Sequence, residues 1–158
     1  MSRYGLKIAK LFGKKLPAYS SQADAQRDLY AFRDDRLHRL RELALVSDKF
    51  EADSSPESLK ALEAWYFELW ETNAFKSIQT SREEFEECMA MYFGHVVVKN
   101  MKKAEWIVSE YAFENGKYEI GVTWGSGSIM LSRFTDHFKT PNNKRHQSIW
   151  RKFKHYCT

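Results

Sequence analysis

The residues best suited to catalysis or metal binding are five histidines, two cysteines and 21 carboxylates in a chain of 158 residues. His137, His146 and His155 recur every nine residues, and Cys157 follows two positions later. Metal sites draw on tighter pairs, such as two histidines three to five apart. The spacing therefore argues against a metal, and no cofactor is expected. His95, beside Gly94, has no second catalytic group at a recognisable spacing, so it reads as a hydrogen-bonded structural residue. Gly125-Ser126-Gly127-Ser128 looks like a phosphate loop by composition. Such a loop leads from a strand into a helix, usually with a lysine, whereas this one leads into another strand. Glu114-Asn115-Gly116-Lys117 sets an acid and a lysine across a turn, and a hairpin role accounts for it. There is no Gly-x-Ser-x-Gly elbow, no Walker loop and no carboxylate pair placed by motif for proton transfer. The chain is expected not to be an enzyme.

Basic residues interleaved with aromatics are the next chemistry to test. Lys144, Arg145, Arg151, Lys152 and Lys154 would neutralise phosphates while Trp150, Phe153 or Tyr156 stacks on bases. Those aromatics have helical spacing, however. The favoured reading is an amphipathic helix docked through its rings with a solvated basic side. Net charge is +4, unevenly placed. Residues 1–50 hold 11 Lys/Arg against 6 Asp/Glu, 51–100 hold 4 against 10, and 101–158 hold 10 against 5. A general nucleic-acid binder does not usually carry so acidic a middle block.

These groups need a scaffold, and the composition supplies one. Hydrophobic residues make up 43% and aromatics 15%, enough for a core without disulfide or metal. The length fits a single domain, 1–158. Cys88 and Cys157 read as reduced thiols of a cytosolic protein, and nothing in the sequence supports a disulfide between them. No run of about 18 apolar residues exists, and the apolar residues at the N-terminus are interrupted by charge. A cytoplasmic protein is expected. Residues 1–20 form an N-terminal arm in which Tyr4, Leu6, Ile8, Leu11 and Phe12 make one amphipathic turn or two. An arm packed on its own domain is preferred to a membrane-surface helix, because so short an apolar face binds bilayers weakly.

The helical part spans 22–100. One helix runs from Gln22 to Val46 on the spacing of Leu29, Phe32, Leu37, Leu40 and Leu43. A second starts at Ser55-Pro56, buries Leu59, Leu62, Trp65, Tyr66 and Leu69, and turns Glu63, Glu68 and Glu71 away. A third starts at Thr80 or Ser81 with a capping box and reaches about Asn100. Gly94 within it costs helix propensity, which implies close packing or a kink there. A three-stranded meander spans 104–134. Its strands are 105–113, 118–124 and 129–134, joined by an Asn115-Gly116 hairpin and the 125–128 turn. A basic helix over 143–157 closes the chain. The fold class is α+β: three to four N-terminal helices packed on an antiparallel meander, with a closing C-terminal helix.

FGHVVV at 93–98, WIVSEYAF at 106–113, YEIGVTW at 118–124 and SIWRKFKHY at 148–156 carry a resemblance. Over about the last 75 residues the chain resembles the small α+β proteins, uncharacterised or of immunity type, found beside bacterial polymorphic toxins. The resemblance implies a bacterial cytoplasmic protein that neutralises a cognate toxin without catalysis. Immunity proteins against nucleases tend to be acidic, so the basic ends imply another target, or contact through the acidic 51–100 block. The leading expectation is a protein-binding module, nucleic-acid binding through the basic ends is the alternative, and an enzyme of unrecognised type around His95 and the sheet comes third. Strand alternation nominates Glu119, Thr123, Ser126 and Arg133 as partner-binding residues on the exposed part of the sheet.

Overall fold

The structure, a computed structural model, describes residues 2–138 and 147–157, with the backbone alone for 135–138. Five α-helices are described: α1 (Arg3–Gly13), α2 (Gln22–Leu45), α3 (Ser58–Glu71), α4 (Arg82–Asn100) and α5 (Ser148–Cys157). The strands β1 (Glu105–Glu110), β2 (Tyr118–Trp124) and β3 (Gly127–Met130) form one antiparallel sheet in the order β1-β2-β3. The architecture is α+β, as the sequence pattern indicates.

Helix starts follow side-chain capping. The hydroxyls of Ser2, Ser21 and Ser81 accept the backbone N–H of Gly5, Asp24 and Glu84, at 3.0, 3.1 and 3.1 Å, at the starts of α1, α2 and α4. The capping box of α4 is only half made. The Glu84 carboxylate turns instead to the Thr80 hydroxyl at 2.7 Å and to Arg39. The start of α3 differs from expectation. Ser55 does act as an acceptor, taking the Ser58 N–H at 3.1 Å, but Pro56 and Glu57 form a turn and the helix begins at Ser58.

α4 is the axis of the molecule. Every residue from Cys88 to Gly94 is buried, because α2, α3, α5, the sheet and a 3-10 segment (Leu131–Phe138) all pack around it. A helix enclosed on nearly all sides is apolar over most of its surface, and this one has charged side chains only over 82–87 and at Lys99. Gly94 permits the closest approach. A Cβ there would lie 2.5 Å from Cη2 of Trp106 and 2.8 Å from Cδ1 of Leu131. Close packing is thus the role of this glycine. Two ion pairs fasten α2 to α4: Arg36 to Glu87 at 3.3 Å and Arg39 to Glu84 at 3.1 Å.

The sheet has shorter strands and different turns than its pattern suggests. β1 ends at Glu110 rather than Phe113, because the Tyr111 N–H bonds to the Lys117 carbonyl at 2.7 Å and closes a wide loop. Asn115-Gly116 is therefore not a two-residue hairpin, and only Gly116 takes a positive φ, +80°. β3 ends at Met130, and the chain turns at once into the 3-10 segment, burying Leu131 and Phe134. The β2–β3 connection shrinks to Gly125-Ser126, since Gly127 already pairs with Trp124. Tyr118, Ile120 and Val122 are buried toward the helices, as the alternation requires. Gly121, on the opposite side, is buried as well, because Met130 and the Ile129 carbonyl close over it.

The outer edge of β1 is occupied. The Gln22 amide donates to the Val108 carbonyl, and the Tyr30 hydroxyl donates to the Trp106 carbonyl at 3.3 Å. The arm after α1 crosses the β1–β2 loop, where Ala18 bridges Lys117 and the Tyr19 N–H bonds to the Gly116 carbonyl at 2.9 Å.

Candidate functional site

The 11 residues of α1 carry Gly5, Ala9 and Gly13 at intervals of four, a stripe of small residues along one side. Ala9 and Gly13 are buried against the domain. The Tyr111 hydroxyl donates to the Ala9 carbonyl at 2.9 Å, and the Phe12 ring packs edge-on to Tyr111 at 5.7 Å. The expected packing of the arm is thus present, and it uses this narrow stripe together with Phe12. Tyr4, Leu6, Ile8 and Leu11 remain exposed, at 75%, 39%, 44% and 50%.

Between α1 and the core lies a half-open cleft of about 720 Å³. Ile8, Leu11 and Phe12 of α1 form one wall, and Leu29 and Phe32 of α2 form the other. The floor is Ala90 and Met91 of α4 with Tyr118 and Ile120 of β2. Polar groups sit at the rim and are mostly engaged. Glu87 is paired with Arg36, and Glu119 accepts the Ser132 hydroxyl at 2.6 Å. Lys15 completes the rim. This volume and lining are typical of a binding site.

The nominated partner-binding residues divide into two pairs. Glu119 lines the cleft. Arg133 lies on the same flank of the molecule, its guanidinium 4.0 Å above the Phe12 ring and donating to the Tyr111 hydroxyl at 3.1 Å. Thr123 and Ser126 sit at the far end of β2, about 13 Å along the strand from Glu119. There the Thr123 hydroxyl donates to the Gly127 carbonyl at 3.1 Å, and Ser126 is exposed in the turn. The four do not form one surface.

Of the alternative nucleic-acid contacts, Lys144 and Arg145 lie outside the described residues. Arg151 and Lys154 are exposed on α5, whereas burial pushes the Lys152 ammonium below its ordinary pKa. Ile149 and Phe153 are buried, so α5 docks through its apolar face. The Trp150 ring carries the Lys60 ammonium 4.1 Å above it. The rings proposed for base stacking are thus largely used inside the protein, and Tyr156 alone is well exposed, at 47%.

The His95 ring is hydrogen-bonded, as expected. Its Nε2 is 2.9 Å from the Ser54 hydroxyl, and burial, reinforced by Lys99, Arg41 and Arg33, holds its pKa below 6.5. Both cysteines are free. Burial pushes the Cys88 thiol up to about 12 and the Cys157 thiol up to about 11, which suppresses thiolate chemistry. Among the described residues, no three His, Cys, Asp or Glu side chains converge on a metal position.

Part of the acidic middle block is engaged within the protein, while Glu51, Asp53, Glu57, Glu68, Glu71 and Glu83 remain exposed. Glu63 does not face away: it is 2% exposed and caps α5. Glu86 is 8% exposed and accepts the Tyr66 hydroxyl at 2.6 Å and Arg82 Nε at 3.2 Å. Burial and this carboxylate together drive the Tyr66 phenol pKa upward. Glu84 and Glu87 are held by the arginines of α2. The position of Glu63 was visible in the spacing, four residues after Leu59 and three before Tyr66 on the buried stripe.

Comparison with known proteins adds a family. The family model "Uncharacterised protein YwmA" matches residues 18–157. The chain belongs to this family of uncharacterised proteins. It is also similar to the uncharacterized protein YwmA of Bacillus subtilis (strain 168), 28% identical over 112 residues that make up 71% of each chain. No solved structure matches. Of the expected resemblance, the likeness to uncharacterised bacterial proteins is shown and none to an immunity type is, and α1 lies outside the matched residues. No helix among the described residues is long and apolar enough to cross a membrane.

Proposed function

We propose that the chain is a cytoplasmic, non-catalytic protein-binding module that works through the cleft between α1 and the α2/α4/β2 core. The observation that carries this reading is the cleft's make-up: an apolar centre of about 720 Å³ with a rim of both charge signs, Lys15 against Glu87 and Glu119. That is the anatomy of a recognition surface, in which apolar anchors are buried and a polar rim sets register. Two of the rim groups are already neutralised or hydrogen-bonded, and neither faces a partner suited to proton transfer. The occupant is an apolar segment of a partner protein. Neutralisation of a toxin is the finer form of this reading.

The test uses Leu11→Asp, which places a carboxylate in the cleft wall at a half-exposed position. A partner identified by cross-linking to the wild type is titrated against both forms by calorimetry. Weakening of about a hundredfold is expected, because an unpaired charge would be desolvated in the cleft. Equal affinity of the variant and the wild type rules the cleft out as the site.

A further inference from the structure

α1 carries two parallel rows. Tyr4, Ile8 and Leu11 follow the i, i+4, i+7 line, and so do Arg3, Lys7 and Lys10, continued by Lys14. The rows lie about 100° apart around the helix, since each residue advances by that angle. Every one of these seven side chains is exposed, with Ile8 and Leu11 at the mouth of the cleft and the small-residue stripe turned to the domain. The helix is thus amphipathic twice over. Its inner side seats it, and its outer side sets an apolar ridge beside a cationic one.

The charge context is equally one-sided. No Asp or Glu occurs before Asp24, so nothing in the first 23 residues offsets Arg3, Lys7, Lys10, Lys14 and Lys15. Elsewhere in the described chain the arginines and carboxylates of α2 and α4 neutralise one another. Of the large hydrophobic residues exposed in the described structure, four of the eight lie on this single 11-residue helix.

We propose that the outer face of α1 binds the surface of an anionic lipid bilayer, with Tyr4, Ile8 and Leu11 entering the headgroup layer and the Arg3/Lys7/Lys10/Lys14 row lying along lipid phosphates. A short apolar ridge alone binds bilayers weakly, but reversible association needs only a second attraction, and the basic row supplies it. The helix is already folded and docked, so binding does not carry the cost of ordering a free peptide. The occupant follows from charge complementarity with an apolar component. A nucleic acid would use the basic row and leave the ridge in water.

The experiment is co-sedimentation of the full chain with vesicles of phosphatidylcholine containing about one-third phosphatidylglycerol, and with phosphatidylcholine alone. Binding to the anionic vesicles is expected, at least about tenfold weaker on the neutral ones and falling with added salt. Tyr4→Asp and the double change Lys7→Glu/Lys14→Glu are the variants, and none of these positions lines the cleft. Each is expected to weaken anionic-vesicle binding by about tenfold or more, with an unchanged melting temperature. The same variants are assayed with single-stranded RNA. No vesicle binding, equal binding to both vesicle types, or full binding by Tyr4→Asp overturns the proposal. So does RNA binding tighter than vesicle binding that depends on the lysines and not on Tyr4.

Discussion

The carboxylate of Glu63 on α3 accepts the backbone N–H of Ser148 at 2.9 Å and of Ile149 at 3.3 Å, and it also accepts the Ser148 hydroxyl. A helix leaves its first N–H groups without intrahelical partners, and here a residue 85 positions earlier serves as the cap. The negative charge also meets the positive end of the α5 dipole. Truncation would leave the buried Ile149 N–H and the part-buried Ser148 N–H unsatisfied. Glu63→Ala is expected to cost about 1–3 kcal/mol in urea unfolding, whereas Glu68→Gln, at an exposed pair with Lys49, should stay within about 0.5 kcal/mol. Equal midpoints for the two variants would show that the cap contributes nothing.

Gly94→Ala pits propensity against packing. Helix propensity alone favours alanine by about 1 kcal/mol. The added Cβ would sit 2.5 Å from the Trp106 ring, so the ring or the helix must shift. A net loss of about 1–3 kcal/mol is expected. Thermal unfolding of the variant checks the sign, and a rise in melting temperature would mean that Trp106 yields freely.

Tyr66→Phe removes one of two groups that hold the buried Glu86 carboxylate and leaves Arg82 alone to do so. The ring remains, so packing is nearly conserved. A loss of about 1–3 kcal/mol is expected from the buried acceptor left short of a donor. Tyr66→Phe combined with Glu86→Leu should recover part of it, read as the coupling in a double-mutant cycle.

The pH profile should carry the mark of His95. Burial keeps its folded pKa below the unfolded value of 6.5. As pH falls below about 6.5, the unfolded chain takes up a proton that the folded chain refuses, and stability is lost until the folded pKa is reached. The lowered carboxylates Glu84 and Asp53 act in another window. Hydrogen bonds from Thr80 and Ser55 hold them below 4.5 and 3.8, so their contribution fades only as pH falls through those lower values. His95→Asn is expected to flatten the decline in melting temperature between about pH 6.5 and pH 5. An unchanged slope would remove His95 as its origin.

Much of this fold could be read from periodicity. The stripe of Leu29, Leu37, Leu40 and Leu43 and the alternation of Tyr118, Ile120 and Val122 each report a local geometry, and the buried faces agree with them. Gly94 was legible for the same reason, since a glycine in a helix calls for a neighbour. The element ends were less legible. Asn115-Gly116 has hairpin chemistry, but the crossing arm at Ala18 and Tyr19 holds the loop open. The cleft could not be read at all. It lies between α1, seated through Ala9 and Gly13, and the lining residues of α2, α4 and β2, which are distant in sequence. Of the nominated residues, Glu119 reaches the cleft, while Thr123 and Ser126 lie at the other end of the strand.

The edge of β1 has a consequence for behaviour at high concentration. An open strand edge offers unpaired carbonyls to any second chain, and β-rich proteins aggregate by that route. Gln22 and Tyr30 of α2 already occupy the carbonyls of Val108 and Trp106. At the opposite edge, β3 is only four residues long before the chain turns away. The sheet therefore gives no template for strand addition from β1, and two side chains of one helix protect the molecule against fibril growth from that edge.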